Sequence, residues 1–352
     1  MSGITVPFFI SHQGCPQRCV FCDQQKIAGA GGALPTAAEI LEKISMYRSS
    51  AKGRTMEVAF FGGTFTALPR EDQEALLEPL QGLLSSGELC GVRISTRPDS
   101  VDTSIASFLR EKWVRTVELG VQSLDDEVLN LSGRGHSAAH TVEAAEVVKE
   151  AGLALGIQLM PGLPGDTRER SLATLERALA LDPDFLRIYP TLVLEGTELA
   201  EMYRSGAYRP LELDEALSLC KEMLLEATRR GVPVIRMGLQ PTAELESGVL
   251  LAGPYHPAFG QLVAAELHFD LTCRLSAAMP SGTRISLSCG TGRLSDLVGQ
   301  RRRNVDRMQE RLGLVVESVR EDAELSAGDV VVEWAGGISA GTLLDLTRPP
   351  LR

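Results

Sequence analysis

The stretch of residues 4–22 reads ITVPFFISHQGCPQRCVFC and joins an apolar run to three closely spaced cysteines. Its first part, residues 4–11, is apolar and aromatic, as is typical of a β-strand. Its second part places three cysteines, Cys15, Cys19 and Cys22, on one short loop. Thiolates that converge in this way can hold an iron–sulfur cluster or a zinc ion. The stretch therefore predicts a metal centre directly after the first strand.

The cysteine spacing favours a cluster over zinc, although zinc remains an alternative. A structural zinc ion takes four ligands, and no nearby pair of cysteines supplies the remainder, but His12 could be a fourth ligand. Three thiolates on a four-iron cluster leave one iron open for a cofactor or a substrate. The other four of the seven cysteines are scattered singly, at positions 90, 220, 273 and 289. We expect these four to be small buried apolar residues in a reducing compartment.

Composition narrows the class of protein. The chain has 352 residues, 44% hydrophobic and 23% charged, which is ordinary for a globular protein. Its net charge of −11 argues against wholesale coating of nucleic acid, but it leaves room for a local basic surface. No apolar run approaches the about 18 residues of a membrane span, and residues 1–10 lack the features of a signal peptide. We therefore expect a cytoplasmic protein that is not attached to a membrane.

Beyond the cysteine loop, apolar runs alternate with amphipathic stretches as far as about residue 240. The predicted strands are 4–11, 57–61, 91–96, 116–121, 154–160, 185–191 and 232–237. The main predicted helices are 37–48, 70–84, 139–151, 167–180 and 212–230. Thr36 and Glu39 have the spacing of a capping box, and Gly152 and Gly231 fall where two helices should end. This alternation predicts βαβ units in a parallel sheet that forms a full or partial α/β barrel.

The pattern changes after Gly238. A loop rich in proline and glycine leads to a long predicted helix over residues 257–277. A compact run follows, with the predicted elements strand 285–289, helix 294–312, strand 314–319 and strand 329–334. We predict a barrel domain over residues 1–240 and an α+β accessory domain over residues 241–352.

The cysteine loop resembles the signature of the radical S-adenosylmethionine (SAM) superfamily, Cys-x3-Cys-x2-Cys with an aromatic residue, here Phe21, before the last cysteine. The resemblance covers about residues 4–240 and implies an α/β fold with a partial (β/α)6-type barrel. It implies a [4Fe–4S] cluster on Cys15, Cys19 and Cys22, with SAM chelated by the open iron and Phe21 as a cofactor-binding residue. It also implies a flavodoxin- or ferredoxin-type reductant protein and the formation of a 5′-deoxyadenosyl radical.

The same resemblance implies a SAM site at the ends of the following strands. Gly62, Gly63 and Thr64 match the glycine motif of the superfamily, although a Gly-Gly pair alone is more simply a tight turn. Three further positions match SAM contacts in the coproporphyrinogen dehydrogenases, namely Gln122, Arg134 and Gln158.

These polar residues also have simpler interpretations. Arg134 could be a solvated loop charge, and Glu118, at the end of the fourth strand, could be satisfied by a neighbouring backbone amide. Gln158 lies in an apolar strand and therefore needs a buried polar partner.

Two segments are more similar to the catalytic subunit of Elongator and its bacterial relatives, namely residues 96–99 (TRPD) and 187–191 (RIYPT). The coproporphyrinogen dehydrogenases have a glutamate about where Arg97 stands, so the sequence leaves the role of Arg97 open. Arg187 either faces the barrel lumen or forms a peripheral salt bridge. Residues 241–352 are too short for the acetyltransferase domain of that subunit and show no acetyl-CoA loop, so acetyl transfer is not implied.

The predicted helix 294–312 concentrates positive charge in this acidic chain. Its basic residues, with the one just before it, are Arg293, Arg301, Arg302, Arg303, Arg307 and Arg311. The simpler interpretation is a solvated helix face with ion pairs. The alternative is a phosphate-binding surface, since residues 298–305 are weakly similar to a KH module, whose GxxG loop clamps a nucleic-acid backbone. The second glycine of that motif is missing here.

Three functions remain open at this point. The first is an Elongator-like radical SAM enzyme that acts on RNA, with tRNA as a possible partner and a tRNA base as the target. The second is a coproporphyrinogen dehydrogenase-like enzyme that acts on a tetrapyrrole or another small molecule. The third is a non-catalytic iron–sulfur or haem chaperone. The five histidines have no metal-ligand spacing, so we expect each to be structural or exposed, and we assign no catalytic side chain.

Overall fold

The computed structural model describes residues 3–10, 13–16, 19–22, 33–242 and 245–347. The strands are β1 (Ile4–Phe9), β2 (Met56–Phe61), β3 (Leu89–Thr96), β4 (Val114–Gln122), β5 (Ala154–Leu159), β6 (Phe185–Ile188), β7 (Val193–Leu194), β8 (Val234–Met237), β9 (Leu250–Ala252), β10 (Arg284–Gly290), β11 (Val315–Asp322), β12 (Asp329–Trp334) and β13 (Gly337–Thr342). The α-helices are α1 (Ala37–Ala51), α2 (Arg70–Leu77), α3 (Gln81–Ser85), α4 (Thr103–Glu111), α5 (Asp126–Leu131), α6 (Ala138–Glu150), α7 (Arg168–Ala180), α8 (Glu198–Arg204), α9 (Leu213–Arg229), α10 (Phe259–Leu275), α11 (Leu294–Val298) and α12 (Arg303–Leu312). Among the described residues, none of these helices combines the length and the apolar character that crossing a bilayer would require.

The first strands form the parallel sheet that the sequence predicts. A seven-stranded sheet has the order β1-β2-β3-β4-β5-β6-β8. The pairs from β1 to β6 are all parallel, and helices connect successive strands. The predicted partial α/β barrel is therefore confirmed. In such a sheet the carboxyl ends of the strands share one edge. The loop that carries Cys15, Cys19 and Cys22, which we call the cysteine loop, follows β1 at that edge. The turn Gly62–Thr64, which we call the glycine turn, follows β2 at the same edge.

The two faces of the sheet differ in chemistry because successive residues of a strand point to opposite faces. On one face Val58, Ile94, Val117 and Ile157 are at most 1% exposed and form apolar core. The alternate positions include polar residues, listed from β2 to β6 as Glu57, Arg93, Glu118, Gln158 and Arg187. The apolar face supplies the burial that stabilises the sheet, and the polar face carries side chains that are candidates for a functional role.

The helix ends follow the chemistry predicted from the sequence. Thr36 and Glu39 form the capping box of α1, with the Glu39 carboxylate accepting a hydrogen bond of 2.7 Å from the Thr36 amide. Gly152 and Gly231 follow α6 and α9 with φ of +71° and +73°, the left-handed conformation that ends many helices.

Some predicted elements are wrong in extent, and some observed elements were not predicted. Strand β6 ends at Ile188 rather than at 191, and Pro190 has no amide hydrogen to continue a ladder. The short helices α4, α5 and α8 and the strand β13 were not predicted. The single helix over 294–312 is also wrong, because Arg301 and Arg302 adopt positive φ values that a right-handed helix cannot contain.

Contacts divide the chain into two compact units, residues 1–211 with 240–254 and residues 212–239 with 255–352. The second unit contains a four-stranded sheet with the order β11-β10-β12-β13, in which β10 is parallel to β11 and antiparallel to β12. Its core includes Leu287, Leu297 and Met308, all fully buried. The predicted α+β character of the C-terminal region matches this sheet, and the domain boundary at residue 240 remains a prediction.

Gly156 in β5 makes room inside the barrel sheet for two neighbouring side chains. A Cβ atom at this position would lie 2.3 Å from Cζ and 2.5 Å from Cε2 of Phe185. It would also lie 3.0 Å from Cγ of Glu118. The Phe185 ring cannot yield without disturbing its own packing, so glycine is required here by space rather than by backbone conformation.

We expect Gly156→Ala to lower the free energy of unfolding by about 1–3 kcal/mol, the usual cost of overpacking a core. Gly82→Ala is the matched control, because Gly82 lies in α3 with no atom within 4 Å of an added Cβ. That control should be neutral or slightly stabilising through helix propensity. Urea unfolding followed by circular dichroism measures both, and equal stability of the two variants would contradict the packing argument.

Candidate functional site

The glycine turn after β2 packs directly against the cysteine loop after β1. The Thr64 amide donates a hydrogen bond of 2.9 Å to the carbonyl oxygen of Gln13. A Cβ atom on Gly63 would lie 2.5 Å from the carbonyl oxygens of both Ile10 and Gln13, and Gly62 has φ of +90°. Only glycine fits at position 63 without displacing the loop backbone, so the turn and the loop form one structural unit.

Cys15 is held at this contact. Its Sγ lies 3.3 Å from Oγ1 of Thr64, whose side chain is fully buried. The preceding Gly14 has φ of +71°, and a Cβ atom there would lie 2.4 Å from the carbonyl oxygen of Thr64. Gly14 therefore allows the close approach that brings Cys15 to the glycine turn.

Cys19 and Cys22 close a tight turn, with the Cys22 amide donating a hydrogen bond of 3.0 Å to the carbonyl oxygen of Cys19. The intervening Val20 and Phe21 are buried in an apolar cluster with Leu163 and other residues, and the two cysteines pack against it. All three loop cysteines are half-buried, and none of them forms a disulfide. Phe21 thus anchors the loop by burial, while its predicted contact with a cofactor remains a prediction.

Arg134 is 6% exposed, so its interpretation as a solvated loop charge is wrong. Its Nη1 donates a hydrogen bond of 3.2 Å to Sγ of Cys19, and its Nη2 donates to the carbonyl oxygen of Gly120. Its Nε is buried and has no hydrogen-bond acceptor among the described residues. A buried guanidinium donor without a partner is costly, and a carboxylate would satisfy it with a charge-assisted bond.

Arg97, whose role the sequence left open, fixes the backbone of Arg134. Its guanidinium donates to the Asp99 carboxylate at 2.9 and 2.7 Å and to the carbonyl oxygen of Arg134. Burial raises the pKa of Asp99, but hydrogen bonding to Arg97 and its positive charge outweigh this and lower the pKa overall. Asp99 therefore stays ionised and keeps Arg97 in place as a positioning residue.

His136 adds a neutral polar group beside these arginines. It is 5% exposed, and neither ring nitrogen has a hydrogen-bond partner among the described residues. Burial, followed by the positive charges of Arg134 and Arg97, lowers its pKa to about 3. The ring is therefore uncharged at neutral pH, so it does not repel the positive charge of Arg134.

Gln122 and Gln158 meet at the ends of β4 and β5. Nε2 of Gln158 donates a hydrogen bond of 3.2 Å to Oε1 of Gln122, which gives Gln158 the polar partner that its strand position requires. Gln122 has φ of +67°, and the pairing of β4 with β5 shifts register between Leu119 and Gln122. A left-handed residue other than glycine is strained, and such residues cluster at functional sites.

Inside the barrel sheet, four charged side chains form what we call the lumen network, consisting of Glu57, Arg93, Glu118 and Arg187. Glu118 is 3% exposed and pairs with both arginines, at 2.8 Å from Nη1 of Arg93 and 2.8 Å from Nε of Arg187. A backbone amide is therefore the wrong partner for Glu118. Arg187 faces this network rather than a peripheral salt bridge.

Further contacts extend the lumen network across the sheet. Arg93 reaches Glu57 at 2.9 Å, and Thr5 in β1 donates a hydrogen bond of 2.7 Å to the same carboxylate. Nη1 of Arg187 lies 3.2 Å from the hydroxyl of Tyr189. Glu57 and Arg93 were not predicted as site residues, although they carry the same sequence signal as Gln158, a polar residue in an otherwise apolar strand.

The remaining cysteines and histidines are mostly structural. Cys220 and Cys289 are buried and Cys273 is half-buried, but Cys90 is exposed, so the expectation of burial is wrong for Cys90. His12, the potential fourth zinc ligand, lies outside the described residues. Within the described ranges, no three Cys, His, Asp or Glu side chains are gathered closely enough to bind an ion. The assignment of the three thiols as cluster ligands therefore stays a prediction from their spacing.

The chemistry of this edge of the sheet fits an iron–sulfur cluster with SAM. Three thiols on one loop are soft ligands for iron, and the Arg134 guanidinium beside Cys19 offsets the negative charge of bound thiolates. The donor left unsatisfied on Arg134 suits a carboxylate, and the Gln122–Gln158 pair offers amide groups to hydroxyls.

Comparison with known proteins gives a consistent result. Residues 9–178 match the sequence model of the radical SAM superfamily, and residues 183–268 match that of the radical SAM C-terminal domain. The tRNA uridine(34) acetyltransferase of Methanocaldococcus infernus is 32% identical over 187 residues, which cover 47% of this chain and 34% of that protein. Elongator complex protein 3 of Saccharomyces cerevisiae is 31% identical over 191 residues, which cover 48% of this chain and 34% of that protein. This chain thus spans about a third of the length of these relatives.

Among solved structures, archaeal Elp3 of Methanocaldococcus infernus with an N-terminal deletion aligns with a TM-score of 0.59 at 22% identity. The alignment covers 94% of this chain and 75% of that chain, and it shows a shared fold. The two matched sequence models together span most of residues 9–268, including the cysteine loop, the glycine turn and Arg134. The chain therefore belongs to the radical SAM superfamily, whose cofactors are a [4Fe–4S] cluster and SAM.

Proposed function

We propose that this chain is an enzyme that reductively cleaves SAM at a [4Fe–4S] cluster bound by Cys15, Cys19 and Cys22. The observation that carries the proposal is the convergence of the cysteine loop, the glycine turn and Arg134. Thr64 contacts Cys15, and Arg134 contacts Cys19, so the potential ligands of iron and of SAM share one surface.

Different side chains at this surface would bind and orient different groups of SAM. When bound, the cluster supplies an electron that cleaves the S–C5′ bond of SAM to give methionine and a 5′-deoxyadenosyl radical. Arg134, through its unsatisfied Nε, would bind the SAM carboxylate, and the glycine turn would leave its backbone accessible to the amino group. The Gln122–Gln158 pair would hydrogen-bond the ribose. Arg97 keeps Arg134 in position through its backbone carbonyl.

The lumen network favours a polar substrate. Its two glutamates and two arginines balance in charge, and their side chains are between 4% and 21% exposed. Fixed, paired donors and acceptors of this kind suit a nucleobase, which is recognised by hydrogen bonds, better than a largely apolar ring system. This polarity supports RNA over a tetrapyrrole as the substrate class.

The target that we propose is a base in tRNA. The relative in Methanocaldococcus infernus is named as an enzyme of tRNA uridine 34, and its match covers 47% of this chain. Because this chain spans only about a third of that protein, acetyl transfer is not part of the proposal. The enzyme would take its electron from a flavodoxin- or ferredoxin-type protein in the cytoplasm.

The cluster assignment is tested by replacing Cys15, Cys19 and Cys22 together with Ala. Anaerobic reconstitution of this variant should leave it colourless and almost free of iron, because no thiolate loop remains to hold the cluster. Replacing Cys90, Cys220 and Cys273 with Ala removes as many thiols outside the loop and should preserve the iron content. Retention of about four irons per chain in the first variant would refute the assignment.

Formation of 5′-deoxyadenosine by reduced, cluster-loaded wild type tests the reaction itself. A protein that binds both iron and SAM but forms no 5′-deoxyadenosine with a strong reductant would instead be a carrier. The loop triple variant serves as the blank, because background reduction of SAM continues without a cluster.

For SAM binding, we expect Arg134→Gln to weaken affinity by about 1.5–3 kcal/mol, the usual worth of a charged hydrogen bond, or roughly 10- to 150-fold in Kd. Arg134→Lys keeps the charge and should lose less. The control is Arg110→Gln, which removes an exposed arginine whose Nη1 donates to the Ala151 carbonyl at 2.9 Å. Equilibrium binding is measured at equal iron content because Arg134 also contacts Cys19. Unchanged affinity in Arg134→Gln would remove Arg134 from the SAM site.

A further inference from the structure

The loop Gly299–Arg302, which joins α11 to α12 in the second unit, has an unusual backbone. Gly299, Arg301 and Arg302 have φ of +74°, +51° and +65°. Arginine rarely adopts the left-handed conformation, because its Cβ crowds the following carbonyl oxygen. Two consecutive left-handed arginines persist only where the surrounding structure fixes them.

Asn304, the second residue of α12, fixes the loop from the core. Its side chain is 1% exposed, and Nδ2 donates a hydrogen bond of 2.9 Å to the carbonyl oxygen of Ala265 in α10. The same Nδ2 lies 3.3 Å from the carbonyl oxygen of Leu297 in α11. A Cβ atom on Gly299 would lie 2.9 Å from Cγ of Asn304. The buried Asn304 side chain therefore holds the conformation of the loop, which does not depend on contacts made by the arginine side chains.

The arginines Arg301–Arg303 are exposed, and no described residue forms a side-chain hydrogen bond or ion pair with them. Two other arginines of this region form ion pairs. Arg293 lies 3.2 Å from Asp296, and Arg307 lies 2.6 Å from Glu266. The interpretation of the whole stretch as a solvated face with ion pairs thus holds for Arg293, whereas Arg307 is paired but mostly buried, and Arg301–Arg303 are solvated without an ion pair to any described residue. Three adjacent positive charges remain uncompensated.

Clefts of about 560 and 530 Å³ lie on the two sides of this loop, and Arg301 lines both. The first also contains the exposed carboxylates of Asp306 and Glu310, which disfavour an anion there. The second lies between α11 and β11 and contains Arg302 and one acidic residue, Glu317. Glu317 is paired with Arg284. An anionic chain can therefore cross the loop and enter the second cleft without meeting an uncompensated carboxylate.

We propose that Arg301, Arg302 and Arg303 bind the sugar–phosphate backbone of RNA, with the strand continuing along the second cleft. The choice of RNA rests on the function proposed above. Guanidinium groups bind phosphate oxygens in pairs, and a backbone fixed in advance loses little freedom on binding. An anionic membrane fits less well, because peripheral binding inserts protruding apolar side chains beside the basic ones, whereas the apolar residues next to this loop, such as Leu294 and Val316, line the second cleft.

The test compares binding of unfractionated tRNA by cluster-loaded full-length protein at 50 and 200 mM salt. Three phosphate contacts predict that the affinity of the wild type falls roughly 20- to 40-fold between these concentrations. Replacing Arg301, Arg302 and Arg303 together with Glu should weaken binding at least tenfold at low salt and abolish most of the salt dependence. Replacing all three with Lys should restore that dependence.

A matched control changes three arginines that are exposed but paired. Replacing Arg204, Arg229 and Arg230 with Glu changes the net charge by the same amount, yet each of these arginines already pairs with a glutamate and none lines the second cleft. If the two Glu variants lose equal affinity, binding follows net charge and the proposed surface is refuted. Preferential binding of the wild type to phosphatidylglycerol vesicles over tRNA would also refute it.

A second variant separates a binding role from a structural one. Replacing Arg301 and Arg302 with Gly suits the left-handed backbone and should raise the melting temperature while it weakens tRNA binding. A higher melting temperature with unchanged tRNA affinity would overturn the proposal. Failure of the proposed function is scored separately, as absence of 5′-deoxyadenosine from wild-type protein. Formation of 5′-deoxyadenosine without salt-sensitive tRNA binding overturns only the surface.

Discussion

The backbone contact between the glycine turn after β2 and the cysteine loop after β1 is the constraint on which the candidate site depends. Gly63 leaves no room for a Cβ atom between itself and the carbonyl oxygens of Ile10 and Gln13. The parallel pairing of β1 with β2 brings the two segments to the same edge of the sheet. Because the contact is made by backbone atoms, it fixes the loop regardless of which side chains surround it. Cys15 is positioned through this contact, and the turn is kept close to any group bound by the cysteines.

Charged side chains in the first unit are mostly compensated by neighbours of opposite charge. Among the described residues, Glu118 pairs with Arg93 and Arg187, and Arg97 pairs with Asp99. Arg134 is the instructive exception, since its contacts are a thiol, a backbone carbonyl and one donor without a partner. An isolated buried cation is costly unless a ligand completes it. The imbalance at Arg134 supports the proposed site for the SAM carboxylate, and the balanced lumen network supports the proposed neutral polar substrate.

Strained backbone marks both surfaces to which a function is assigned. Gln122 adopts a left-handed conformation at the irregular end of β4, and Arg301 and Arg302 do so between two helices. In each case the neighbouring structure holds the strained residue, through the pairing of β4 with β5 or through the buried Asn304. The strain gives a side chain a direction that regular structure would not allow. In a regular strand the side chains of Gln122 and its neighbours would point alternately to the two faces of the sheet. In a continuous helix the three arginine side chains would point in different directions around the helix axis.

The sequence by itself determined the features that depend on local chemistry. The cysteine spacing, the capping box at Thr36 and the helix stop at Gly152 require only residues close in the chain, so they could be predicted, as could the alternation that builds the parallel sheet. The partners of Glu118, the role of Arg97 and the break at Arg301 could not. Each depends on atoms supplied by distant segments, because a buried charge is satisfied by whichever strand lies beside it, and a helix is broken where packing outweighs propensity. The spacing of three cysteines in a short stretch of sequence is thus enough to predict the kind of metal centre. Which side chains surround that centre, and which charges stay free to bind a partner, depends on the tertiary structure.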